Sequence, residues 1–160
     1  MIITANDIRT VRAIAQNINE TDRIDTYIEE VENLFLIPQF GARLFKEISE
    51  KKPEFTLLLN GGFYDSDKKH IPGLIKAVAY LVYSRFVINQ PINITAFGAV
   101  FKNGEFSEKI DEANLIRAAK QAEKIGMEYL NQCVDFLVFT NKLPTATGLI
   151  TKRKFKIIGD

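Results

Sequence analysis

One cysteine, one histidine and a net charge of +1 in 160 residues remove several classes of protein before any pattern is considered. A lone thiol, Cys133, forms no internal disulfide, which fits a reducing compartment. With His70 the sole imidazole, a zinc centre would have to be assembled from carboxylates, an uncommon ligand set. Near-neutrality gives the chain no global attraction to nucleic acid or to an anionic membrane. The N-terminal residues lack the basic start and apolar block of a secretory signal, so secretion by that route is not expected. The most apolar run, Leu74 to Asn89, is shorter than the roughly 20 residues that cross a bilayer, and it carries Lys76 and Arg85.

What is present is the mix of an ordinary globular protein, 46% hydrophobic and 26% charged. Residues 1–139 are expected to form one helical domain, and residues 140–160 a linker and extended tail. Thr4-Ala-Asn-Asp7 has the form of a capping box with Asp in place of Glu, and Ile8, Val11, Ala15 and Ile18 follow on one helical face. A second amphipathic helix is predicted from Ile24, Tyr27, Ile28, Val31, Leu34 and Phe35, with Asp25, Glu29, Glu30 and Glu32 on its solvated side. It should end before Pro38, because a residue ahead of proline avoids the helical region.

Leu44, Phe45 and Ile48 predict a third helix stopping near Lys52-Pro53. Pro53 opens a fourth through Leu57, Leu58 and Leu59, terminated at Asn60-Gly-Gly62. Residues 63–71 read as a polar turn. Leu74 to Asn89, apolar on all sides, is the expected central helix. Residues 91–107 form a long apolar connection in which Asn103-Gly104 predicts a hairpin turn between short extended runs. From about Asp111 to Phe139 the longest helix carries a stripe of Leu115, Ala118, Ala119, Ala122, Ile125, Gly126, Tyr129, Cys133, Phe136 and Leu137. Its small residues suit close packing on the central helix. The fold class is therefore all-α: a helical bundle of about five to six helices with a long central apolar helix, a long C-terminal helix, a β-hairpin-like arm and an extended C-terminal tail.

No catalytic constellation emerges. Asp65-Ser-Asp67 begins like a calcium loop, but His70 stands where glycine is wanted and Lys76 where glutamate is wanted. Gly61-Gly62 lacks the lysine and hydroxyl residue of a phosphate-binding loop. A metal or hydrolytic site would require His70 and Asp65 to meet carboxylates from another helix. Cys133 falls on an apolar stripe, where a thiol is buried and inert. No catalytic, cofactor-binding or metal-ligating residue is assigned, and neither a membrane nor a small-molecule substrate is expected.

Two segments ask for a partner. In 91–107, Ile94, Phe97, Val100, Phe101 and Phe106 supply more apolar surface than a solvated loop needs, so the segment either folds back on the chain's own helices or lies against a neighbouring subunit. In the tail, Lys152, Lys154 and Lys156 alternate with Arg153, Phe155 and Ile157, the two-residue period of a strand with one basic face. An all-α chain offers no sheet for it to join, which leaves either disorder or addition to a sheet edge in another molecule. An alternative is a small DNA-associated module using Lys152, Arg153, Lys154 and Lys156, which predicts weak, salt-sensitive binding.

Several stretches together resemble one family. These are Tyr27-Ile-Glu-Glu-Val, Pro38-Gln-Phe-Gly41 with Leu44-Phe45, Leu58-Leu-Asn-Gly-Gly-Phe-Tyr64, Gly73-Leu-Ile-Lys-Ala-Val-Ala-Tyr-Leu-Val-Tyr-Ser-Arg85, and Asn93-Ile-Thr-Ala-Phe-Gly-Ala-Val-Phe-Lys102 with Ser107. They are similar to small helical proteins of phages and prophages of Bacteroides-type gut bacteria, themselves similar to the head-to-tail connector, or adaptor, proteins of tailed phages. The resemblance spans about Ile3 to Leu137, and its most specific part is the Thr95-Ala-Phe-Gly-Ala-Val run. It implies a structural virion protein assembling as a ring of its own copies beneath the portal. Portal and tail proteins would be its partners, DNA would be present only as channel contents, and the host cytoplasm would be its place during assembly. Arms and termini that clasp neighbours are implied too, with Ile94, Phe97, Val100, Phe101, Phe106, Arg153, Phe155 and Ile157 as candidate subunit contacts. The tail after Thr140 lies outside the resemblance, and the near-neutral charge departs from a simple DNA-channel picture.

Overall fold

The computed structural model describes residues 2–11, 21–89, 92–95, 98–101 and 112–143; for 21–23, 92–95, 98–101 and 112 the backbone alone is described. The described chain is mostly helical, with two small antiparallel hairpins.

The first helix, α1 (Ala5–Val11), starts as the capping box requires. Asp7 Oδ2 accepts from the Thr4 amide and the Thr4 hydroxyl, both at 2.8 Å, and Thr4 Oγ1 accepts from the Asp7 amide at 3.4 Å. These bonds satisfy donors that a helix start otherwise leaves orphaned. Ile8 is fully buried, while Ala15 and Ile18 lie outside the described residues.

The second helix, α2 (Thr21–Val31), does not stop before Pro38. It runs through a π-helical turn, Glu32–Leu36, directly into α3 (Ile37–Glu50). In the widened turn the Ile37 amide bonds the Glu32 carbonyl, five residues back. Pro38 has no amide to donate and its ring crowds the carbonyl four residues earlier, so a turn one residue wider lets the helix pass the proline. The extra residue also changes which side chains face inward. Leu34, expected on the apolar face, is 55% exposed, while Leu36 and Glu32 are buried. The break comes instead at Gly41, whose φ of 77° and ψ of 150° no β-carbon-bearing residue adopts easily.

A 3₁₀ turn (Lys52–Phe55) and α4 (Thr56–Asn60) follow, placing Leu58 and Leu59 in the core. Gly61, at φ 84°, ends the helix as expected. The chain after it is not a simple polar turn. Strands β1 (Gly62–Tyr64) and β2 (Lys69–Ile71) pair antiparallel, with Gly62 opposite Ile71, Phe63 opposite His70 and Tyr64 opposite Lys69.

Helix α5 (Leu74–Asn89) is the centre. It buries Leu74, Ala77, Val78, Ala79, Leu81, Val82, Ser84, Phe86 and Val87, and α1, α2, α4 and the last helix all lie against it. Each large side chain so buried contributes about 1.5–3 kcal/mol. The one buried hydroxyl, that of Ser84, donates to the Leu81 carbonyl at 2.7 Å and so carries no unsatisfied group inward.

Strands β3 (Ile92–Thr95) and β4 (Gly98–Phe101) form the second hairpin, with Ile92 opposite Phe101, Asn93 opposite Val100, Ile94 opposite Ala99 and Thr95 opposite Gly98. The chain therefore reverses between Thr95 and Gly98; the turn expected at Asn103-Gly104 lies outside the described residues.

The last helix, α6 (Glu112–Phe139), packs along α5. A β-carbon on Gly126 would lie 2.8 Å from Leu81 Cγ and 3.1 Å from the Ala77 carbonyl oxygen, so the two backbones approach as only glycine permits. Of the expected stripe, Ala119, Ala122, Gly126, Cys133 and Leu137 are buried, whereas Ala118 is exposed; Leu130, unassigned by the pattern, is also fully buried. Beyond Phe139, the Lys142 and Leu143 amides bond the Leu137 carbonyl at 2.8 and 3.1 Å, with Asn141 at φ 56°, so this capping turn continues the fold to Leu143.

Two substitutions test this packing by denaturant unfolding. Leu81→Asp, which places an unpaired charge between the two helices, is expected to remove about 4 kcal/mol or more. Gly126→Val should cost roughly 1–3 kcal/mol through overlap with Leu81 while leaving the helical circular dichroism intact.

Candidate interaction surface

The β1–β2 hairpin carries the most exposed aromatic group of the described chain. Its base is clamped: a β-carbon on Gly61 would sit 2.5 Å from the Pro72 carbonyl oxygen, and one on Gly73 would sit 2.6 Å from the Gly61 nitrogen. Its tip is strained, with Asp65, Ser66 and Asp67 all left-handed at φ 54°, 51° and 63°. Asp and Ser tolerate this region better than branched residues do, and the Lys68 amide closes the turn on the Asp65 carbonyl at 3.2 Å.

Between base and tip the strands sort their side chains by face. Phe63, 64% exposed, and His70 form one cross-strand pair, with ring centroids 4.9 Å apart. On the opposite face Tyr64 packs edge-on against Phe136 and Phe139 of α6, at 5.0 and 5.3 Å, and Ile71 is fully buried. Lys69 Nζ lies 4.8 Å from the Phe139 ring centroid and 3.7 Å from Asp65 Oδ2, tying helix end, strand and tip together. Phe139 nonetheless stays 47% exposed. The result is a rigid, partly aromatic projection at the C-terminal end of α6.

His70 is thus part of an aromatic pair, and among the described residues no three metal-ligating side chains converge. The carboxylates of α2 divide in a way their spacing does not reveal. Glu29 is exposed and Asp25 and Glu30 are half-buried, but Glu32 is only 5% exposed and accepts a 2.6 Å hydrogen bond from the Ile2 amide. A buried carboxylate in the π-helical turn therefore holds down the segment before α1, whose Ile2 and Ile3 enter the core. Glu30 Oε1 stands 3.8 Å from Arg85 Nε, and that guanidinium lies over the Phe35 ring at 5.6 Å. Cys133 is buried, and desolvation pushes its thiol up to about 12, against a smaller opposing effect from the Gly73 backbone; it is not a nucleophile near neutral pH. A cleft of about 400 Å³ has Thr10, Val11, Asn60, Ile75 and Lys76 as its described lining, and among these Lys76 is the ionisable group.

Of the residues singled out as subunit contacts, Ile94, Val100 and Phe101 fall in β3 and β4, where Ile94 is opposite Ala99 and Val100 opposite Asn93. Phe97, Phe106, Arg153, Phe155 and Ile157 lie outside the described residues. The surface that sequence reasoning missed is Phe63 with His70; alternation over Gly62–Tyr64 is too short to announce a strand.

The chain belongs to a family of unknown function, DUF6712, which matches residues 36–143, from the end of the π-helical turn to the cap of α6. No curated protein and no solved structure matches it.

Three substitutions report on these features. Ser66→Gly should raise stability by about 0.5–1 kcal/mol by relieving the left-handed tip. Glu32→Ala, which strands the Ile2 amide, should lower it by about 1–3 kcal/mol, while Glu32→Gln, which keeps an acceptor, should lie close to the parent; thermal unfolding followed by circular dichroism reads all three.

Proposed function

We propose that this protein is a non-enzymatic virion assembly subunit of the head-to-tail connector type, a helical bundle whose projecting segments dock on copies of itself and on a portal. The observation that carries the reading is the hairpin Ile92–Thr95 and Gly98–Phe101, which falls on the stretch most like the connector family. An extended two-stranded arm leaving the central helix suits a contact made by backbone and apolar side chains with a neighbour. The aromatic projection of β1–β2 at the other end of α5 gives a second surface of the same kind, and an arm at each end of one helix suits the repeated contacts of a ring. Portal and tail proteins are the partners in this reading, DNA passes as channel contents, and the virion is the destination.

Truncation after Leu143, which spares the capping turn of α6, combined with Phe97→Ser and Phe101→Ser, tests it. The variant is expected to stay folded by circular dichroism yet lose binding to the cognate portal by about 100-fold or more in sedimentation. Unchanged portal binding would refute the arm.

A further inference from the structure

Asn60-Gly61 joins α4 to the base of the β1–β2 hairpin, and this dipeptide has a chemistry of its own. In an open chain the nitrogen after an asparagine attacks the side-chain amide carbon, and glycine in the second place hinders that attack least. The Gly61 nitrogen bonds to Asn60 Cγ and gives its proton to water, the Cγ–Nδ2 bond breaks, and ammonia leaves. Water then opens the resulting succinimide at one carbonyl or the other. The products are aspartate or isoaspartate, the latter with the main chain routed through the side chain.

The closed fold opposes this reaction at each point. The Gly61 amide is committed to the Leu57 carbonyl at 2.9 Å, so its nitrogen is held in the helical direction. Asn60 is the last residue of α4, and ring closure requires the peptide after it to swing away from the helical ψ of about −40°. The backbone around that peptide blocks the swing. A β-carbon on Gly73 would lie 2.6 Å from both the Asn60 carbonyl carbon and the Gly61 nitrogen, and one on Gly61 would lie 2.5 Å from the Pro72 carbonyl oxygen. Asn60 is itself exposed, so water reaches its side chain and the protection comes from the backbone. Nor is the labile pair replaceable, because φ of 84° and the Pro72 contact both demand glycine at position 61.

From these observations we infer that Asn60 is a latent deamidation site, sealed while the hairpin base is closed and converted when that base opens. Isoaspartate adds one carbon, about 1.5 Å, to the main chain where it passes between Pro72 and Gly73. The clamp then cannot re-form, and the β1–β2 projection loses its anchor. The change is irreversible, and its rate follows the fraction of time the base spends open. The inference is independent of the connector reading, because it concerns the isolated protein and is measured without a portal.

Peptide mapping by mass spectrometry tests it, on the full chain held at mildly alkaline pH either folded or in denaturing urea. Asn60 is expected to deamidate at least about tenfold more slowly in the folded chain than in urea. In urea Asn103-Gly104, the same dipeptide, calibrates the open-chain rate. A smaller difference between the folded and unfolded rates at Asn60 would overturn the inference. The consequence for the clamp is read separately, in Asn103→Gln protein. Chains carrying isoaspartate at position 60 are isolated from the urea sample, refolded and compared with Asn60→Asp, which has the charge without the extra carbon. Trypsin is expected to cut after Lys68 and Lys69 about tenfold faster in the isoaspartate chains. Equal cutting would show that the clamp re-forms and would overturn that consequence.

Discussion

The contact between α5 and α6 at Gly126 is the constraint on which the rest of the molecule depends. There the backbones come so close that Leu81 Cγ and the Ala77 carbonyl occupy the space a β-carbon would need. The approach lets the longest helix run along the most apolar one, and the Tyr80 and Tyr129 rings meet edge-on beside it at 5.6 Å. With one side of α5 closed by α6, its remaining sides must be covered by α1, α2 and α4, which explains a helix with no polar face. In the chain the two hairpins flank α5, β1–β2 before it and β3–β4 after it, and the helix between them has 16 residues and a length of about 24 Å.

Much of this was legible because burial repeats at helical spacing. Thr4 and Asp7 announced α1, the uninterrupted apolar run announced α5, and Ala119, Ala122 and Gly126 announced a close helix pair. The failures share a cause: local rules were outweighed by adjustments only the assembled chain reveals. Pro38 reads as a stop, yet one extra residue in the turn before it let the helix continue. The three-residue strands of β1–β2 carry too few positions for alternation to register, and their polar tip dominates the local composition. In the second hairpin the chain reverses between Thr95 and Gly98, where no glycine-containing dipeptide marks a turn in the sequence.

The candidate surface was less legible than the fold for a related reason. Phe63 is conspicuous only because its partner strand and α6 leave it uncovered, a property of three dimensions with no trace in a single residue's neighbours. Glu32 is the converse: among four acidic residues that read as one solvated face, it alone turns inward, and its carboxylate meets a backbone amide thirty positions earlier.

The π-helical turn has one more consequence, concerning phase. From Ile24 a buried position recurs every four residues, at Ile28, Glu32, Leu36, Phe40, Leu44 and Ile48, with Val31 buried beside them. In an undistorted α-helix that interval overshoots a full revolution by about 40°, so six steps would carry the stripe about 240° around the axis and out of the core. The wide turn at 32–36 and the break at Gly41 interrupt this precession, and all seven side chains stay buried. Glu32 occupies one of those seven places, which makes it the single charge-bearing tooth in an otherwise apolar ratchet.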